Sequence, residues 1–326
     1  MEKLQPEQIE TVLGHYPLGS VRSFERLSSG YSNDNYKVDT DQGSYLYRIC
    51  KRQSLDSILY EMKLMQALKK IEFPAAFPIP RNDGNYVTPL GCDTADATQC
   101  ERITIYEFIQ GEEPEVNPEA AKAVAMAIGE LNQLKDWKKF PRKNPINLDN
   151  CYQLIQQFKD SKYKYTDIFE YFIEQTEYLE KHLSRPVPKG IIHGDIFPDN
   201  TVFSGNNLLA IIDFEYACSD NLLIDLGVAI NGFCCPQNCL DEHLLITFIQ
   251  SYNQIRRLTP EEIELLPYYI QWGGHGMLSW HLKNDLLNRE SERKLTRAKE
   301  HMERVKSLRS NETKLTQTIQ EIASCC

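Results

Sequence analysis

The chain has 326 residues, about twice the ~150 that one domain commonly takes, so two domains, each able to bury a core, are expected. Hydrophobic residues at 41% and charged residues at 25% sit near globular averages, which argues against a disordered, collagen-like or coiled-coil chain. Lys and Arg number 36 against 46 Asp and Glu, a net charge of −10, and so acidic a chain lacks the footprint of a nucleic-acid binder.

No apolar run approaches the ~18 residues needed to cross a bilayer, and Met1-Glu2-Lys3-Leu4-Gln5-Pro6 lacks the apolar stretch of a secretory signal. No membrane association and a cytoplasmic location are therefore expected. The 10 cysteines are scattered, and reduced thiols are the expected state. Cys234, Cys235 and Cys239 are close in sequence, but without a C-x-x-C pair or a histidine at finger spacing they read as small hydrophobes rather than a zinc site.

In chain order, a short helix around Pro6–Glu10 is followed by β-formers at 24–27, 35–39 and 45–50, broken by turn clusters at 28–30 and 40–43, the pattern of an antiparallel meander. Leu55, Ile58, Leu59, Met62, Met65 and Leu68 recur at helical spacing and predict an amphipathic helix over 54–70 that carries Glu61. A proline-rich connector spans 73–80, another strand covers 103–109, and 111–118 reads as a linker. Beyond it helical periodicity dominates, at 118–135, 149–183, 241–256, 260–286 and 289–323, interrupted by strand-like runs at 190–192 and 208–212. The expected architecture is α+β: a small β-rich lobe, residues 1–110, followed by a mostly helical lobe, residues 111–326.

The strongest chemical signal is His193-Gly194-Asp195-Ile196-Phe197-Pro198-Asp199-Asn200, with Asp213-Phe214-Glu215 beginning 13 residues after Asn200. Each group follows an apolar strand, where a loop presents reactive side chains from a rigid support. Asp195 can accept a proton from an attacking hydroxyl, while the Asn200 amide oxygen and the Asp213 carboxylate are the hard oxygen donors that magnesium takes alongside nucleotide phosphates. The spacing is that of the kinase pattern in which an Asp is the base and an Asn and a later Asp hold the metal.

With these motifs the chain resembles the aminoglycoside phosphotransferase and choline kinase superfamily, with H-G-D-x-x-x-x-N in place of the H-R-D-x-x-x-x-N of protein kinases. The resemblance covers nearly the whole chain, and in residues 192–234 it is most similar to type II homoserine kinases. It implies a bilobal protein-kinase-like fold and transfer of phosphate from ATP, with Mg2+, to a small-molecule alcohol. It also implies roles. Asp195 is the catalytic carboxylate, Asn200 and Asp213 are the metal ligands, His193 is structural and Asp225 braces the catalytic loop. Arg48 stands where the third-strand Lys contacts phosphates, with Glu61 as partner; Tyr106 to Ile109, Glu107 and Ile109 among them, form the hinge whose backbone groups meet adenine. Ser29, Gly30 and Ser32 form a phosphate loop with a single glycine, whose serines otherwise read as solvated turn residues.

For the acceptor, Asp199, Glu215 and Asp220 are candidates to meet an ammonium group, with Asp199 equally able to cap its own loop. Homoserine also needs a cation or backbone donors for its carboxylate. The chain departs from the subfamily here: Glu215 and Tyr216 replace an aromatic pair, Gly232 stands where an acid is usual, and 271–282 lacks the expected arginines. That segment carries Gly273, Gly274 and Gly276, which signal close helix packing or room for a ligand, and Trp272, His275, Trp280 and His281, which line either an acceptor pocket or the core. Three readings stay open: a homoserine-like kinase, a kinase for choline, ethanolamine, an aminoglycoside or a sugar, and a silent nucleotide-binding pseudokinase. The sequence does not decide between ATP and GTP, or whether the chain forms a homodimer.

Overall fold

The computed structural model describes residues 4–27, 33–91, 100–164, 166–288 and 295–324. The chain divides into two compact units, Met1–Gly111 with Leu209–Glu215, and Glu112–Leu208 with Tyr216–Cys326.

In the first unit α1 (Pro6–Leu13) starts with Pro6 at its first turn, where the missing N–H costs nothing, and Gln8 reaches back to the backbone N–H of Gln5. Five strands follow, β1 (Val21–Arg26), β2 (Asp34–Thr40), β3 (Ser44–Cys50), β4 (Thr88–Leu90) and β5 (Glu101–Glu107), in one antiparallel sheet of order β1-β2-β3-β5-β4. Between β3 and β4 lies α2 (Leu55–Lys70), its Ser54 hydroxyl accepting from the Ser57 N–H as N-cap.

The period of two along the strands sorts the side chains onto two faces. Tyr47, Ile49, Ile103 and Ile105 join Tyr36 and Val38 in a core with Ile9, Val12 and Leu13 of α1. The opposite face carries Leu46, Cys50 and Tyr106 against Ile58 and Met62 of α2. Arg48 falls on this second face by the same alternation. The connector 73–80 pairs with neighbours on both sides: the Ile79 N–H donates to Ile105 O (2.8 Å), and the Ile211 N–H donates to Pro74 O (2.8 Å). The second bond ties the segment Leu209–Glu215 to the first unit.

The second unit holds α3 (Pro118–Leu131), α4 (Leu148–Lys159), α5 (Asp167–Leu183), β6 (Lys189–Ile192), β7 (Thr201–Ser204), β8 (Asn207–Ile211), β9 (Cys218–Asn221), α6 (Leu223–Phe233), α7 (Glu242–Ile255), α8 (Pro260–His281), α9 (Leu295–Ser310) and α10 (Glu312–Ser324). Of these, β8 runs across the boundary into the first unit. β6 pairs with β9 and β7 with β8. Side-chain caps start α3 (Asn117), α4 (Asn147), α7 (Asp241) and α8 (Thr259, in a reciprocal box with Glu262).

Two helices expected to be continuous are broken. Over 149–183 the Ser161 hydroxyl takes the Phe158 carbonyl (2.9 Å) and the Thr166 hydroxyl the Tyr163 carbonyl (3.0 Å), local bonds that compete with the helical ladder. Near the C-terminus the break falls at Asn311, whose side chain donates to Ser307 O (2.8 Å). Beyond α8 the backbone continues as a π-helical turn, Leu282–Leu287. Cys234 and Cys235 are buried and Cys239 is exposed, all three as free thiols. Cys100 is disulfide-bonded, which corrects the expectation of thiols throughout.

The glycines of α8 have a packing reason. A Cβ on Gly273 would sit 2.4 Å from the Gly227 carbonyl oxygen, and one on Gly227 would sit 2.0 Å from that of Tyr269, so α6 and α8 cross backbone to backbone. A Cβ on Gly274 would lie 2.6 Å from Val305 of α9, whereas on Gly276 the nearest atom is the Ile146 methyl at 3.2 Å. Gly273→Ala is therefore expected to lower unfolding free energy by about 1–3 kcal/mol or more despite its better helix propensity, and Gly276→Ala by less. Urea unfolding of both variants measures the order; equal effects would mean that the crossing tolerates a methyl.

Candidate active site

The residues singled out in the sequence fall in both units. In the second, β6 carries the buried Ile191 and Ile192 into His193-Gly194-Asp195. Asp225, in the first turn of α6, receives the backbone N–H of His193 on Oδ2 (2.8 Å) and that of Gly194 on Oδ1 (2.7 Å), so one carboxylate clamps two successive amides. Gly194 needs its glycine: its φ is +82°, and a Cβ would meet the Tyr216 carbonyl oxygen at 3.4 Å. His193 is fully buried, and its Nδ1 accepts from the Asp195 N–H (3.2 Å), which fixes the tautomer with the proton on Nε2. Asn200 closes the loop, its Nδ2 donating to the Asp195 carbonyl (2.8 Å) and carboxylate (3.0 Å), which turns the amide oxygen away from Asp195. Asp195 itself is half-buried.

In the first unit Arg48 and Glu61 are 5% and 2% exposed, so they are not the surface pair that such residues usually make. Arg48 Nη1 lies 3.4 Å from Glu61 Oε1 and 3.5 Å from Asp213 Oδ1, and the guanidinium sits over the Tyr106 ring at 5.0 Å. Tyr106 also donates its hydroxyl to Glu61 Oε1 (2.6 Å), and Gln53 donates to Oε2 (2.9 Å). Burial pulls the Arg48 pKa down, but Asp213, Tyr106 and Glu61 more than offset it and hold the guanidinium charged. Asp213 adopts a left-handed backbone, φ +66°, and its buried Oδ1 has no hydrogen-bond partner among the described residues.

The sequence matches the Phosphotransferase enzyme family over residues 23–265, three quarters of the chain. The chain belongs to this family. It is 27% identical to a homoserine kinase of Sinorhizobium medicae over 273 residues, 80% of this chain and 79% of that protein. Among solved structures it resembles a microcompartment-associated aminopropanol kinase, TM-score 0.73 at 16% identity over 93% of this chain and 97% of that one. A second is an amicoumacin kinase in complex with AMP-PNP and Ca2+, TM-score 0.72 at 14% identity over 93% of each chain. The fold is the expected α+β protein-kinase-like one.

The other candidates of this phosphotransferase are placed as follows. Glu215 is buried in the first unit, where its Oε2 accepts from the Asn33 amide (3.1 Å). Asp220, on β9, accepts from Asn144 (3.0 Å) and lies 3.9 Å from Lys189. Asp199 is exposed; burial raises the Glu113 pKa and the charge of Asp199 raises it further. The Trp280 indole N–H donates to the Tyr216 hydroxyl (2.9 Å), whereas Trp272 and His275 are core residues, His275 stacked on Phe172 at 4.6 Å. At the hinge the Glu107 N–H is already bonded to Phe77 O (2.9 Å), and Ile109 follows β5 half-buried. Ser29, Gly30 and Ser32 lie outside the described residues. Among the described helices none is long and apolar enough to cross a membrane.

Sequence reasoning missed Tyr106, Gln53 and Asn33 as partners of the charged groups. Only Tyr106 left a signal, since the strand alternation puts it on the face of Arg48.

Burial pushes the Asp225 carboxyl up to about 7, against the pull of its two amide bonds. Because this lies above the ordinary value of 3.8, the folded protein holds the proton more tightly than the unfolded chain. That contribution is complete below about pH 4 and is lost as the pH rises through about 7. Urea unfolding from pH 4 to 8 is expected to show the native protein losing stability relative to Asp225→Asn across that window. Parallel pH curves would mean that Asp225 stays ionised throughout.

Proposed function

We propose that this phosphotransferase moves the γ-phosphate of ATP to the hydroxyl of a small amino alcohol or hydroxy amino acid, with homoserine the first candidate. The observation that carries the reading is the Asp195 loop. Its carboxylate is held by the Asn200 amide, and the two residues before it are clamped by Asp225, an arrangement suited to orienting a hydroxyl and accepting its proton.

In this reading Asp195 aligns the alcohol and takes its proton, and Arg48, kept charged and aimed by Glu61 and Tyr106, meets the nucleotide phosphates. Asn200 and Asp213 are the residues that would hold Mg2+. Hard, incompletely satisfied oxygens would fit that ion, and among the described residues the buried Oδ1 of Asp213 has no hydrogen-bond partner. Held there, the ion would supply neutralisation of charge on the phosphoryl group being transferred. Phosphoryl transfer asks little covalent work of the protein, so positioning by these side chains accounts for most of what the chain contributes.

The homoserine kinase relative and the fold shared with an aminopropanol kinase support an acceptor with both an ammonium and a hydroxyl group. Within the second unit the acids at Asp199 and Glu113 suit an ammonium, and the Tyr216–Trp280 pair offers an aromatic surface to a cation. Asp220 is committed to Asn144 and Lys189, which leaves it little part in acceptor binding.

ADP release with Mg2+ and ATP, measured over homoserine, aminopropanol, ethanolamine, choline, sugars and aminoglycosides, tests the acceptor. Homoserine or aminopropanol is expected to give the highest kcat/KM, and preference for a sugar would overturn the amino-alcohol reading. Asp195→Asn is expected to lower kcat by about 10²–10⁴-fold while ATP affinity stays within a few-fold. Turnover close to that of the native enzyme would remove Asp195 from its role.

A further inference from the structure

Asp213 is bracketed by three anchors within its own unit. Two residues before it, the Ile211 N–H is bonded to Pro74 O (2.8 Å). Immediately after it the Phe214 ring is buried edge-on against Phe73, centroids 6.2 Å apart. Two residues after it the buried Glu215 carboxylate accepts from Asn33 Nδ2 (3.1 Å). The other end of the same Asn33 amide accepts from the Lys51 N–H (3.3 Å), just past the end of β3. The planar amide of Asn33, 7% exposed, therefore carries the position of the sheet across to Glu215.

Between these anchors Asp213 sits at φ +66°, a left-handed conformation uncommon for non-glycine residues but one that Asp adopts more readily than most. Its carboxylate is itself lightly held, with Arg48 at 3.5 Å and, among the described residues, no hydrogen bond to Oδ1. What sets its direction is the backbone on either side. A buried carboxylate at Glu215 is costly unless it is bonded, and packing alone does not call for an acid there.

We infer that Asn33 and Glu215 are a positioning pair: their hydrogen bond fixes the Asp213 segment to the sheet and so aims the Asp213 carboxylate at the divalent cation. The inference rests on the proposed metal role of Asp213 and assigns Glu215 to the support of that site rather than to the acceptor. Neither residue touches the reacting atoms.

Because the claim concerns metal binding, its test is made without turnover, by titrating Mn2+ into the full-length protein with ADP and following the free ion by electron paramagnetic resonance. Glu215→Ala and Asn33→Ala are each expected to weaken Mn2+ binding by about tenfold or more, the usual effect of losing a partner that orients a metal ligand, while ADP binding without metal is unchanged. Glu215→Gln retains an oxygen that accepts from Asn33 and is expected to stay within about twofold of the native protein. The double alanine variant is expected to be no weaker than the worse single one, since both remove the same bond. Thermal unfolding and near-ultraviolet circular dichroism identify folded variants, and either single alanine variant suffices if the other fails to fold. Affinities within twofold of native in both alanine variants, or strictly additive losses, would overturn the pair, and Glu215→Gln as weak as Glu215→Ala would make the charge, not the bond, the active feature. A native protein that binds ADP but takes up no Mn2+ would instead remove the metal role of Asp213, and the pair with it.

Discussion

A guanidinium that is 5% exposed has to be answered by carboxylates, and the first unit is arranged around that requirement. Removing Arg48 from water costs several kcal/mol unless paired and hydrogen-bonded oxygens replace the lost hydration. Glu61 and Asp213 supply the charge, one from α2 and one from a segment far along the chain, and the Tyr106 ring covers the guanidinium face. Glu61 is in turn too buried to stand alone, so Tyr106 and Gln53 take up its two oxygens. The packing of β3, α2, β5 and the segment Leu209–Glu215 is thus written in one ionic network, and losing Arg48 from it leaves the buried Glu61 carboxylate without a cation among the described residues.

The second unit solves a related problem with backbone rather than side-chain donors. Asp225 is fully buried with no paired cation among the described residues, and two main-chain amides serve in its place. Amides are fixed dipoles and cannot leave when the acid is protonated, so the loop geometry survives a change of charge that would dissolve an ion pair. This makes the arrangement suited to holding Asp195, the proposed base, at a constant place in the loop whatever the charge on Asp225. His193 contributes in the same manner, as a buried neutral acceptor for the Asp195 N–H.

Much of this was legible in the sequence because it follows short-range rules. The strands at 45–50 and 103–109 and the helix over 54–70 that carries Glu61 were read from period alone, and the same alternation puts Arg48 and Tyr106 on the face opposite Tyr47 and Ile105. The loop after β6 could be read because its polar residues follow an apolar strand at fixed spacing. The breaks at Ser161 and Asn311 were not legible, since each turns on whether a small polar side chain bonds its own backbone or water, a choice that leaves the helical period intact on both sides. Nor was the Asn33–Glu215 bond, which joins residues 182 positions apart with no periodicity linking them. An acid beside a proposed metal ligand reads as functional from sequence alone; its burial and its partner Asn33 are visible only in the structure.

The glycines of α8 show the same separation. Three helix-weakening residues in four positions suggest equally a ligand cavity or a tight crossing, and the propensity cost of about 1 kcal/mol each is identical in both cases. Geometry decides between them. At Gly273 the absent side chain is replaced by the backbone of Gly227, and at Gly274 by Val305, so these two positions are filled by protein. What remains beside Gly273 and Gly276, next to Gly194, is a cavity of about 10 Å³, room for one water and too small for an amino alcohol. The close approach of α8 to α6 instead fixes the helix that carries Asp225, and through its two amide bonds the loop that presents Asp195. The helix-breaking residues of one element are therefore part of how the position of the proposed base is held.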